Sequence, residues 1–196
     1  MASMAVALLA PLAWLLGTLP TAVLVARSRG HDILDEGSGN PGASNVGRVL
    51  GWRWGIVVLA VDFAKGAVAA GIGLVVAGPV GGLVLGAAAV LGHTFPILRK
   101  GGKGVATAGG ALTVCYPLIS AFLAVVWFVI ARGLRKSSVA SLTITAAFPL
   151  LVLLTGPTAV EFGIIAALAV LIIVLHRANI GRLVRGEEHD IGGARS

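Results

Sequence analysis

Two stretches of the chain, Met4 to Ala26 and Gly104 to Ala131, contain no Asp, Glu, Lys or Arg, and further apolar runs fill most of the remaining sequence. Crossing a hydrocarbon core about 30 Å thick takes about 20 helical residues, so runs of this length predict membrane helices rather than the one-sided stripes of a soluble fold. Six runs stand out: Met4 to Ala26, Trp54 to Ala77, Pro79 to Leu98, Gly104 to Ala131, Val139 to Thr155 and Ala159 to Leu175. Tight turns are predicted at Gly78-Pro79 and Gly156-Pro157, two dipeptides that punctuate helices.

Charge decides how the fourth run is folded. Fourteen of the fifteen Lys and Arg residues lie in four clusters: Arg27 to Arg53, Arg99 to Lys103, Arg132 to Lys136 and Arg177 to Arg195. The positive-inside rule puts all four on the cytoplasmic face. That is satisfied only if Gly104 to Ala131 folds back near Tyr116-Pro117, where proline interrupts the helical ladder and restricts the residue before it. The expected fold is an all-α integral membrane protein with about seven transmembrane helices, two of them short around Tyr116-Pro117, N-terminus outside and C-terminus cytoplasmic. Residues 1–196 are expected to form a single polytopic membrane domain with cytoplasmic functional loops at 27–53, 99–104 and 132–138 and a tail at 176–196. A signal peptide is disfavoured for the first run, because no basic residue precedes it and Arg27 and Arg29 follow it.

Composition agrees with this picture. Hydrophobic residues make up 57% of the chain and charged residues 12%, against roughly one-quarter charged in soluble domains. The 28 glycines suit close helix packing. A net charge of +7 placed in loops between spans fits a cytoplasmic, lipid-facing surface and not nucleic acid, since no aromatic-rich soluble module accompanies it. The lone Cys115 excludes a disulfide framework and a cysteine metal cluster.

Three polar, glycine-rich stretches gather on the cytoplasmic face of this topology: "GSGNPGASNVGR", "GHTFPILRKGGKGVAT" and "HRANIGRLVRGEEHDIG". Successive glycines let backbone N–H groups converge on an anion, and a neighbouring Lys or Arg adds full charge. The first offers Gly37, Ser38, Gly39, Asn40, Gly42, Asn45 and Arg48; the second offers Gly101, Gly102, Lys103 and Gly104 directly before an apolar helix, a ready phosphate site. It is not a P-loop, because Gly104 and not Ser or Thr follows Lys103. Asp62 and Lys65 lie one turn apart inside the second run. Each charge near mid-membrane costs about 2.5 to 3.5 kcal/mol, so the pair is expected to face protein or water. His93 reads equally as a helix-end residue, whereas His176 stands where the last run meets the cytoplasm, followed by Arg177, Asn179 and Arg182.

Taken together, "GSGNPGASNVGR", "DFAKG", "GHTFP" with "GGKGVAT", "SVASL" and "HRANIGRLVRGEE" make the chain resemble the bacterial PlsY family of membrane glycerol-3-phosphate acyltransferases. The resemblance implies seven helices around a cytoplasm-facing site in the bacterial inner membrane. It implies acyl transfer from acyl phosphate to the 1-position hydroxyl of glycerol 3-phosphate, giving lysophosphatidic acid and inorganic phosphate, with no cofactor and no metal. It further implies Ser38, His176 and Asn179 as catalytic residues, Arg48, Lys103, Ser141 and the loop glycines as phosphate binders, and Asp62, Lys65, His93, Arg177 and Glu188 in support. The partners it implies are the two substrates, membrane lipids, an enzyme that makes acyl phosphate and a second acyltransferase that consumes the product.

Because an acyl phosphate is already activated, direct attack without an acyl-enzyme is expected. The proton acceptor stays open between His176 and a substrate phosphate. An anion transporter is the main rival, but no repeat relates the two halves and the polar residues cluster at one face. A His-x-x-x-x-Asp dyad of the CoA-dependent kind is absent, since none of the four histidines has Asp five residues later.

Overall fold

The computed structural model describes residues 2–97 and 99–191, and these form helices without strands. In chain order they are α1 (Ala2–Gly17), α2 (Thr21–Arg27), α3 (Ala43–Val49), α4 (Trp52–Thr94), α5 (Val105–Cys115), α6 (Pro117–Leu134), α7 (Ser137–Leu153), α8 (Ala159–Leu175) and α9 (Arg177–Val184). The 43 residues of α4 would reach about 65 Å if straight, twice the hydrocarbon thickness. They fold back at Ala77 and Gly78 instead, the latter at φ 66°, a left-handed conformation that glycine adopts without a Cβ clash. This is the predicted Gly78-Pro79 turn. The predicted break at Tyr116-Pro117 is also present: α5 ends at Cys115, Tyr116 leaves the helical region at φ −136°, and Pro117 starts α6.

Three departures from the expected elements have local causes. The first run is broken at Thr18 to Pro20, because Pro20 has no N–H to continue the ladder from α1. The run drawn from Pro79 to Leu98 ends as helix at Thr94, before Pro96; Leu98 lies outside the described residues. Within the polar loops, Ala43–Val49 and Arg177–Val184 fold as short helices rather than open connectors. By length and composition, Ala2–Arg27, Trp52–Thr94 and Pro117–Leu134 can each cross a membrane, and α8 with α9, bent by 53°, adds a fourth candidate. Helices α5 and α7, at 11 and 17 residues, are shorter.

Small residues set the packing around the site. A Cβ on Gly66 would overlap the Thr107 carbonyl, and one on Gly110 would overlap the Phe63 carbonyl, so the first limb of α4 and α5 touch backbone to backbone. Gly17 and Gly92 make the same kind of contact between α1 and the second limb of α4. Cys115 sits half-buried where α5 meets α6, beside Gly82, with no hydrogen-bond partner among the described residues. Cys115→Ala is expected to retain wild-type turnover within about twofold and to lower stability by about 1 kcal/mol or less, as activity assays and thermal melting would show.

Candidate active site

The loops that were separate in sequence are tied together at one end of the bundle. Lys100 Nζ donates to the Gly39 carbonyl at 2.7 Å, joining the second glycine loop to the first. Arg48 donates through Nε to the Asp190 carbonyl at 3.1 Å, joining the first loop to the tail. Lys103 donates to Asn179 Oδ1, and Lys136 donates to the Glu188 carbonyl and pairs with Asp190 at 2.7 Å. Three loops and the tail thus enclose one cleft of about 350 Å³.

Within the first loop Asn45 is the organiser. Its side chain is almost fully buried at 2% exposure; Oδ1 accepts from the Ser38 backbone N–H at 2.8 Å and from Arg48 at 3.1 Å, while Nδ2 donates to the Ile33 and Glu36 carbonyls. One amide therefore fixes the turn that carries Ser38 and the direction of the Arg48 guanidinium. Gly37 and Gly39 both take φ 62° in that turn.

Lys103 precedes Gly104, the α5 N-cap at φ 82°, and the free N–H groups of the first turn of α5 open beside it. Burial, together with the nearby Arg182, Arg48 and Lys100, lowers its ammonium to about 8. Glu188 acts in the opposite direction and partly offsets this shift. Asn179 lies between Lys103 and Glu188, donating from Nδ2 to Glu188 Oε1 at 2.6 Å. Burial opposes ionisation of Glu188, yet the hydrogen bonds from Asn179 and Arg182 outweigh it and hold this carboxyl below its ordinary value.

His176 links α8 to α9 and is 3% exposed. Its Nδ1 lies 2.8 Å from the Ile172 carbonyl, which can only accept, so the proton resides on Nδ1 and Nε2 is left as the acceptor. Burial lowers its pKa below 6.5, keeping the ring neutral at pH 7.

The cleft brings together Ser38, Asn40, Gly42, Asn45, Arg48, Asp62, His93, Lys103, Gly104, Ser141, His176, Asn179 and Glu188 from the residues singled out in sequence. Gly37, Gly39, Gly101, Gly102 and Lys65 do not line it, and neither does Arg177, which is exposed on α9. Residues not anticipated also line it, among them Trp127, Ser138 and His189. Trp127 Nε1 donates to Ser141 Oγ at 3.1 Å, a pairing hidden in sequence because an indole on an apolar helix reads as core. Phe63, Val105, Gly109, Ala124 and Ile144 border both this cleft and an adjoining apolar groove of about 130 Å³ that runs among α5, α6, α7 and α8.

Comparison with known proteins places this arrangement. The family model described as "Glycerol-3-phosphate acyltransferase" matches residues 7–186. The chain is 41% identical over 193 residues to a glycerol-3-phosphate acyltransferase of Desulforudis audaxviator, covering 96% of each, and 41% identical over 183 residues to one of Aquifex aeolicus, covering 90% of this chain and 94% of that one. A crystal structure of PlsY, an integral membrane glycerol 3-phosphate acyltransferase in its glycerol 3-phosphate form, superposes with a TM-score of 0.91 at 37% identity, covering 96% of both chains. Its lysophosphatidic acid form gives 0.88 at the same identity. The fold is that of an integral membrane acyltransferase. The chain belongs to the glycerol-3-phosphate acyltransferase family.

Proposed function

We propose that the protein transfers a fatty acyl group from acyl phosphate to the 1-position hydroxyl of glycerol 3-phosphate, in the bacterial inner membrane and facing the cytoplasm, through a single complex of both substrates. The observation that carries this reading is the junction of a polar cleft, holding Arg48, Lys103 and the α5 N-terminus, with an apolar groove among helices. One end suits phosphate and the other suits an acyl chain. Seven crossings, with the N-terminus outside, put all four basic clusters on the side of the cleft.

In the proposed step the C1 hydroxyl oxygen of glycerol 3-phosphate attacks the acyl carbonyl carbon. The carbon–oxygen bond to phosphate breaks, and the departing phosphate takes that electron pair. The hydroxyl proton ends on phosphate, carried there directly or through Nε2 of His176, so neither metal nor cofactor enters the balance. Ser38 and Asn179 orient the reacting groups, and Arg48 and Lys103 offset charge that grows on the phosphate as it leaves. The supply of acyl phosphate falls to a separate enzyme, and a second acyltransferase uses the lysophosphatidic acid.

The donor distinguishes this reading from others. Purified protein in detergent with lipid, given radiolabelled glycerol 3-phosphate, is expected to form lysophosphatidic acid from palmitoyl phosphate and not from acyl-CoA or acyl-carrier protein. Product from acyl-CoA alone would overturn it. The free enzyme's kcat/KM is expected to fall on the alkaline side near pH 8, where Lys103 loses its proton, and on the acid side below pH 6.5, where His176 gains one. A pH profile with no alkaline limb between 7 and about 9.5 would contradict the role given to Lys103.

A further inference from the structure

Asp62 and Lys65 are 2% and 3% exposed inside α4, an unusual place for two charges in a membrane protein, and the reaction just described uses neither. Lys65 Nζ donates to Asp62 Oδ1 at 2.6 Å and to the Leu19 carbonyl at 2.6 Å, in the break between α1 and α2. Asp62 Oδ1 also lies 3.8 Å from His93 Nδ1, on the second limb of α4. His93 in turn supports the second glycine loop twice: its carbonyl accepts from the Gly102 N–H at 3.1 Å, and its ring fills the space a Gly102 Cβ would need. Gly101 abuts the His93 and Thr94 carbonyls just as closely. The next residue is Lys103.

We infer that Asp62, Lys65 and His93 are positioning residues that fix the Gly101-Gly102 loop, and through it the Lys103 ammonium, against the phosphate in the cleft. A buried ion pair is weak evidence for stability, since apolar residues of like volume often serve as well; its use is to hold one arrangement among several. Here it ties the α1–α2 break to the first limb of α4 and lies beside His93 on the second limb, whose carbonyl and ring support the loop. The inference rests on the proposal that Lys103 holds a substrate phosphate.

The test is the affinity for glycerol 3-phosphate, measured by calorimetry on the full-length detergent-solubilised protein and three variants. The double variant Asp62→Asn/Lys65→Met removes both charges and keeps their shape. It is expected to bind about tenfold more weakly, Lys103→Ala about a hundredfold more weakly, and the triple variant no more weakly than Lys103→Ala, because residues that act through Lys103 have nothing left to position. Losses that multiply in the triple variant, or wild-type affinity in the folded double variant, would overturn the inference. Should the double variant fail to fold, Gly102→Ala replaces it in the cycle, since its Cβ meets the His93 ring and displaces the same loop. Wild-type affinity in Lys103→Ala would instead overturn the phosphate assignment beneath it.

Discussion

Lys103→Ala is expected to remove glycerol 3-phosphate acylation by at least a factor of about a hundred while the protein stays folded. Deleting one preorganised donor to developing charge in a water-poor site costs about 10² to 10³ in turnover. The fold is spared because the lysine is itself a burden: burial has already brought its ammonium down to about 8, and removing it relieves that penalty. Asn179 loses a donor at Oδ1 but keeps its bond to Glu188. Steady-state kcat/KM and a thermal melt on the same preparation check both halves. Wild-type turnover in the folded variant would sink the assignment of Lys103 to phosphate.

Arg48→Ala is expected to cost as much in turnover, with a different signature on conservative replacement. The guanidinium is held at two points, by Asn45 Oδ1 and by the Asp190 carbonyl, which leaves its remaining N–H groups aimed by the first loop. A planar fork fixed in this way suits two oxygens of one phosphate, and an ammonium does not reproduce it. Arg48→Lys is therefore expected to recover only a small part of the lost activity. Inorganic phosphate release at saturating donor measures the difference. Equal activity in Arg48→Lys and wild type would show that only charge, and not direction, is needed at this position.

The backbone reversals were the part of the fold most open to reading from sequence. Gly78-Pro79 and Tyr116-Pro117 interrupt the helix for reasons internal to each dipeptide: the chain folds back at the first and leaves helical geometry at the second. The break at Leu19-Pro20 carried the same kind of signal, but the flanking residues on both sides are apolar and the run reads as one helix. Helices α3 and α9 are hard to read from sequence because each buries one polar residue among polar neighbours: Asn45 bonds the Glu36 carbonyl and Asn179 bonds Glu188, so neither helix shows an apolar stripe. For the cleft, the loops could be named from glycine and charge, and the cross-links among them could not. Lys100 to Gly39, Arg48 to Asp190 and Lys136 to Glu188 join residues whose pairing depends on how the helices pack. Trp127 was invisible for the opposite reason, its polar nitrogen hidden in an apolar pattern.

Direct transfer is the claim on which the account turns, and it is tested by a single-turnover experiment. Enzyme in excess is mixed with acyl-labelled palmitoyl phosphate, first without and then with glycerol 3-phosphate, and both inorganic phosphate and label on the protein are followed. No labelled protein and no burst of phosphate are expected until glycerol 3-phosphate is added, after which phosphate and lysophosphatidic acid appear together. A stoichiometric burst of phosphate with the acyl label on the protein, at Ser38 or elsewhere, would contradict it.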